Sequence, residues 1–227
     1  TPPERDSEPE TLTIGWSGSF STVQHLDTIR EVLQELAKTE KFRLRVIGTP
    51  EYDLPGVETE AIQWRSDSEI EDLQKIDIGL MPLPDEDWSR GKCGLKALQY
   101  MALGIPTICS PVGVNSSIIQ DGENGFLADS TEEWIKKLKL MLHSPELRQR
   151  IGMAGRKTVE ESYSAISQAP RVLQERGVIP VGVVVDVVEL VAQPLVGPVL
   201  GPGVDIGEDR LAAQVVAQEL LHVLDRE

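Results

Sequence analysis

The chain has 227 residues, 40% of them hydrophobic, which is room for one large or two small domains with an ordinary buried core. A formal net charge of -15 argues against nonspecific binding to nucleic acid or to an anionic membrane surface, so an anionic ligand would need a local basic pocket. The cysteines Cys93 and Cys109 form no CxxC pair and no metal-ligand spacing, which fits a reducing, cytoplasmic setting, and no apolar run is long and clean enough to span a bilayer.

Residues 1–10 are polar and Pro-rich and read as a linker, and the missing initiating Met suggests a piece of something longer. Residues 11–16 read as a short strand, followed by a small-residue turn through Gly15, Ser17, Gly18, Ser19 and Ser21. A helix is expected over 23–38, with Leu26, Ile29, Val32, Leu33 and Leu36 on one face. Residues 42–47 and 57–64 are the next strands. Ser66-Asp67-Ser68-Glu69 has a capping-box pattern for a helix to about Gln74. Residues 76–81 form a nearly continuous apolar strand, as in a parallel sheet buried on both faces. The stretch 91–107 then reads as a Gly-bearing turn, a helix with Leu95, Leu98 and Met101-Ala102 on its buried face, a stop at Gly104, and the start of a strand. That strand covers 105–109; a short helix over 114–120 and a last short strand over 125–128 follow. Ser130-Thr131-Glu132-Glu133 opens a helix to about Leu142, and Ser144-Pro145-Glu146 opens another to about Glu161.

From 177 to 209 there is no Lys or Arg, and Val, Gly and Pro dominate. A strand or hairpin is expected there, then an amphipathic helix from about Glu208 to Arg226. A fused module, an interaction segment and a segment without evolved function all remain open for this tail.

Alternation of strand and helix from Thr11 onward predicts an α/β fold, a Rossmann-like doubly wound parallel sheet. Such sheets bind ligands at the carboxyl ends of their strands, where the turns at Gly18, Arg65, 82–87, 92–94 and 112–115 would gather. Lys92 and Lys96 bracket the start of the helix after Gly94. Free N–H groups and the dipole at a helix N-terminus already favour an anion, so the lysines mark a candidate phosphate site. Two solvated surface lysines are the alternative. Asp85-Glu86-Asp87 has carboxylates spaced to share a hard cation, or is a solvated acidic loop. His25 lies near the glycine turn and reads as a cap, a surface residue or a ligand contact, while Asp77, inside an apolar strand, reads as structural. No Ser-His-Asp or Cys-His arrangement stands out, and the Trp residues form no nucleic-acid stacking pattern.

The stretch 91–107, together with Ser110-Pro111-Val112-Gly113-Val114-Asn115 and Asp121-Gly122-Glu123-Asn124-Gly125-Phe126-Leu127, resembles the C-terminal, nucleotide-sugar-binding half of the retaining GT-B glycosyltransferases of the sucrose- and glycogen-synthase-like group. The likeness runs from about Thr11 to about Leu173. It implies a donor-binding domain over 11–176, with 177–227 unassigned. It implies a hexosyltransferase that takes a UDP- or GDP-linked sugar, a glycan or small-molecule acceptor held by a preceding N-terminal domain, no metal and no other cofactor, and a role in polysaccharide assembly. By position, the resemblance places the donor diphosphate beside Gly18 and Ser19, base or phosphate near Arg65, and the nucleotide against Lys92, Cys93, Gly94, Leu95, Lys96 and Gln99. Lys92 and Lys96 take the catalytic role of stabilising the leaving diphosphate. The family commonly carries two glutamates eight positions apart, for donor sugar and ribose. Gly91 and Gln99 stand at those positions, so the ribose contact is kept by an amide and the sugar contact has no side chain. A non-catalytic nucleotide-sugar-binding module and a structural or interaction protein are the alternative functions.

Overall fold

Six short strands, most of them buried, carry the architecture: β1 (Leu12–Ser17), β2 (Phe42–Ile47), β3 (Glu58–Ile62), β4 (Ile78–Met81), β5 (Thr107–Cys109) and β6 (Phe126–Leu127). The computed structural model describes residues 11–169. Its strands form one sheet in the order β3-β2-β1-β4-β5-β6, parallel at every pairing. The helices between them are α1 (Gln24–Asp27), α2 (Arg30–Ala37), α3 (Glu69–Leu73), α4 (Asp87–Arg90), α5 (Leu95–Ala102) and α6 (Asn115–Ile118), and α7 (Thr131–His143) and α8 (Pro145–Ser162) follow the last strand. The expected doubly wound α/β fold is therefore the observed one.

Alternation along the strands divides the core into two layers. Ile14, Trp16, Leu44, Val46, Ile78, Leu80 and Ile108 join one cluster with Leu33 and Leu36 of α2 and Leu138 and Met141 of α7. Ile47 shares a second cluster with Leu73 of α3 and Tyr100 of α5. Met81 and Cys109 pack with Ala97 and Met101 of α5 in a third. Cover on both faces is why the central strands read as unbroken apolar runs.

Several boundaries differ from the sequence expectation, each for a local reason. The helix expected over 23–38 is two pieces, because Ile29 leaves helical geometry at φ -113° and ψ 19°. The Thr28 hydroxyl donates to the His25 carbonyl at 2.7 Å there. The strand expected from Ile76 begins at Ile78, since Asp77 closes the ladder sideways. Its carboxylate accepts the Thr13 N–H at 2.7 Å and its own N–H donates to the Thr13 carbonyl. That assigns Asp77 the structural role expected of it. The capping box at Ser66–Glu69 does not form; the Ser68 hydroxyl donates to Asp72 Oδ2 at 2.9 Å. Asp72 is fixed by the buried Arg45, whose Nη2 donates to it at 2.9 Å and ties β2 to α3. The cap at Ser130 does form, with Ser130 Oγ accepting the Glu133 N–H at 3.2 Å. Ser144 Oγ likewise accepts the Leu147 N–H at 3.1 Å ahead of Pro145.

The chain divides into two compact units, 1–161 and 162–227. Of the second, the described residues 162–169 include a turn in which Ser164 Oγ accepts the Ser167 N–H at 3.1 Å. The linker expected over 1–10, the 176/177 boundary and the tail over 177–227 lie outside the described residues.

Candidate functional site

The chain runs outward from β1 to β2 and β3, then returns to β4 on the other side of β1. The segments leaving β1 and β4 therefore diverge and open a crevice at the carboxyl edge, which is where such sheets take ligands. One side chain fixes α5 against this point. Gly79 in β4 carries no Cβ, and one added there would stand 2.6 Å from the Tyr100 ring. Tyr100 is fully buried, and its hydroxyl accepts the Ser17 N–H at 2.8 Å. Gly94 forms the N-cap of α5 in the left-handed region, at φ 74°, ψ 14°, with no side-chain cap and no acidic residue in the first turn. A Cβ on Gly94 would meet Ile118 Cδ1 at 2.4 Å. The opening N–H groups of α5 are thus left for a ligand or solvent.

Lys96, in the first turn of α5, places its Nζ 5.4 Å from the centroid of the Trp16 ring at the end of β1. Lys92 Nζ lies 5.3 Å from the Trp88 ring centroid. Both contacts are cation–π in type, and neither neutralises the charge. Neither lysine pairs with a carboxylate among the described residues. Burial, then the neighbouring Lys92 charge, push the pKa of Lys96 down to about 8. Burial, then Lys92, then Lys96, also hold His25 below the usual histidine range, with Glu86 opposing. Three nitrogen groups from two diverging segments therefore share one crevice with a surplus of positive charge. This is the arrangement that receives a phosphate.

The other residues expected at the site are disposed less uniformly. Gln99 lies one turn after Lys96, and its Nε2 donates to Glu69 Oε1 of α3 at 3.3 Å. Cys93 is free and exposed beside the lysines, and Leu95 is 55% exposed at the head of α5. Gly18 stands at the crevice, but its N–H is committed to the Ile47 carbonyl at 2.9 Å. Its lack of a side chain is required by the Trp16 ring, 2.4 Å from an added Cβ. The Ser19 hydroxyl lies 2.9 Å from the Ser21 hydroxyl, and its N–H donates to Thr22 Oγ1 at 3.1 Å. Arg65 follows the edge strand β3, two strands from β1, and pairs with Asp67 at 3.3 Å. Asp85 and Asp87 both turn to Arg90, at 2.8 and 3.3 Å.

Sequence reasoning missed the contacts that bridge distant segments. Trp16 as the platform under Lys96, and Tyr100 as the tie between α5 and β1, have no local signal. Asn115 lay inside an expected ligand turn, and it is buried with Nδ2 donating to the Ser110 carbonyl at 3.0 Å and Oδ1 unpartnered. A separate cavity of about 470 Å³ opens beside Ile29 just ahead of α2, Leu83, Pro84, Ser110 and Trp134 of α7. It is not lined by the two lysines or Gln99.

A parallel sheet in this order, with an unpaired cation pair at its switch point, defines a doubly wound α/β domain equipped for an anionic ligand. The chain belongs to the glycosyl transferases group 1 family, which matches residues 2–158. It is 27% identical over 170 residues to a sulfoquinovosyl transferase of Arabidopsis thaliana, covering 69% of this chain and 31% of that protein. The chain spans less than a third of the length of the curated relatives it matches. Among solved structures it is similar to the C-terminal domain of LpcC, a glycosyl transferase group 1 family protein from Francisella tularensis. That likeness has 22% identity and a TM-score of 0.52, over 67% of this chain and 86% of that one. It is also similar to HepE of Anabaena, solved in complex with UDP and glucose, with 12% identity and a TM-score of 0.59, over 74% of this chain and 49% of that one. Among the described residues no helix is long and apolar enough to cross a membrane.

Proposed function

We propose that this chain is the donor half of a glycosyltransferase and holds a nucleoside diphosphate sugar at the switch-point crevice. The observation that carries the reading is the pair Lys92 and Lys96 at the N-terminus of α5, paired with no carboxylate among the described residues, with Lys96 over Trp16 at the end of β1. The diphosphate accepts from the first N–H groups of α5 and from both ammonium groups. Gln99, one turn on, is the candidate for the ribose hydroxyls, and the exposed Cys93–Leu95 segment lies along the nucleotide. Gln99 commits its Nε2 to Glu69 and keeps its amide oxygen for a ribose hydroxyl, whereas the Gly18 and Ser19 N–H groups and the Arg65 guanidinium have partners, which makes those three secondary candidates.

In the transfer, the bond from the anomeric carbon to the phosphate oxygen breaks and its electron pair stays on that oxygen. Lys92 and Lys96 stabilise the charge that develops. The acceptor oxygen bonds to the anomeric carbon and its proton passes to the departing phosphate, with retention, as the family resemblance implies. A preceding N-terminal domain holds the acceptor, a glycan of polysaccharide assembly or a small molecule, in a cytoplasmic setting consistent with the free Cys93 and Cys109. Gly91, which offers no side chain to the sugar, favours the second reading, a binding module without turnover.

Calorimetric titration with UDP, GDP and their sugar conjugates tests the site. UDP is the first to try, because HepE binds it. Micromolar binding that weakens about ten- to a hundredfold in Lys96→Ala is expected for a charge-assisted contact. Binding unchanged in both Lys92→Ala and Lys96→Ala would sink the site as drawn.

A further inference from the structure

One polar group in the crevice is used by neither the sheet nor any ion pair. His25 follows the turn out of β1 and is 2% exposed. Its Nε2 has no hydrogen-bond partner, an unfavourable state for a buried polar nitrogen. Its backbone is held, since the Thr28 hydroxyl and N–H both donate to its carbonyl, at 2.7 and 3.3 Å. Lys96 reaches the same end of β1, over Trp16. The charged groups that face the imidazole are Lys92, Lys96 and, with opposite sign, Glu86. Burial and the two ammonium charges therefore disfavour the protonated ring. An arriving anion would offset both ammonium charges and offer an acceptor to Nε2.

We infer that His25 is a third anion-holding residue of this crevice, and that its Nε2 takes up a proton from solvent when a nucleoside diphosphate binds between Lys92 and Lys96. The inference rests on the donor-site reading above. No bond of the ligand is made or broken in this step; the Nε2 lone pair gains the proton and the N–H donates to a phosphate oxygen. Binding is then coupled to pH. Because the bound state holds one more proton than the free state, affinity rises as pH falls through the range between the free and bound values of His25.

The test uses the whole 227-residue chain, with inorganic pyrophosphate and UDP as probes. Calorimetry at pH 6.5 in two buffers of different ionisation enthalpy counts protons. At that pH Lys96, at about 8, is already charged and adds none. The probe itself titrates near this pH, so the readout is the difference between the two proteins: the parent chain is expected to take up more protons per pyrophosphate than His25→Gln does, and the variant to bind about three- to tenfold more weakly. At pH 8.5 the two proteins should bind nearly alike. Independently of any variant, the His25 ring carbon resonance should move to its protonated position as pyrophosphate is added. Binding that leaves this resonance in place, or equal proton uptake in His25→Gln, overturns the role of His25 and leaves the donor site standing. No binding of either probe overturns both.

Discussion

Lys96 shows how one residue can turn packing into chemistry. Its stem lies along the head of α5 and its ammonium over Trp16, so it is half-buried beside a like charge. Its pKa of about 8 lies below the ordinary 10.5. The unfolded chain thus binds the extra proton more readily between those values. Stability from this group is full above 10.5 and is lost as pH falls toward about 8, then stays level. Ligand binding has the opposite sign, because a diphosphate favours the charged form. In His25→Gln, where the histidine coupling is removed, affinity for UDP should fall as pH rises through about 8, being about tenfold weaker at pH 9 than at pH 7. Titration at both values measures this. Equal affinity at pH 7 and 9 would mean that Lys96 does not touch the ligand. Position 91 makes the complementary point, since glycine there offers no side chain while Lys92 carries a charge next door.

At the scale of elements, α5 is the positioning device. Gly94 lets the loop turn into it, Tyr100 ties it to β1, and Gly79 makes room for that tie. Gly94→Ala would force a left-handed residue and a contact with Ile118 at once, costing about 2–4 kcal/mol together. Urea denaturation should report that loss, and UDP affinity should fall with it because the first turn of α5 is displaced. Ser130→Ala is the control: a lost cap at α7 costs about 1 kcal/mol and leaves UDP affinity alone. Should Gly94→Ala bind UDP as the parent does, the helix start is not part of the site. Local chemistry of this kind was readable in advance. Gly94, Ser130, Ser144 and Pro145 each act within a few residues of their partners, and the apolar period fixed the strands. What the period missed was the break at Thr28–Ile29, where a side chain competes with the helix for a carbonyl. Nor could it show Tyr100 reaching Ser17, 83 residues earlier, or Trp16 lying beneath Lys96. Gly18 has a packing reason the period could not show either: the Trp16 ring leaves no room for a Cβ there.

On the whole molecule, a net charge of -15 surrounds a crevice whose own charge is positive. Such a protein repels anions at long range and holds them only where its cations converge, so binding should be confined to one site per chain. The convergence lies on the segments after β1 and β4 and at the start of α5, all within 11–161. Asp85 and Asp87 are engaged with Arg90, and position 91 is glycine, which offers no side chain to a donor sugar. Holding a donor and transferring its sugar are thus separable, and orienting a second substrate is a large part of any transfer rate. We expect this 227-residue chain alone to bind UDP and a UDP-sugar with similar micromolar affinity, yet to release UDP from the sugar conjugate no faster than buffer does. A coupled assay for free UDP, run at saturating donor with and without candidate acceptors, measures it. Added to a protein that supplies the acceptor half, the same chain should raise the rate, and Lys96→Ala should abolish the gain. UDP release by the isolated chain at ordinary enzymatic rates, on the order of 1 per second or more, would place the catalytic machinery within this chain and refute the division of labour.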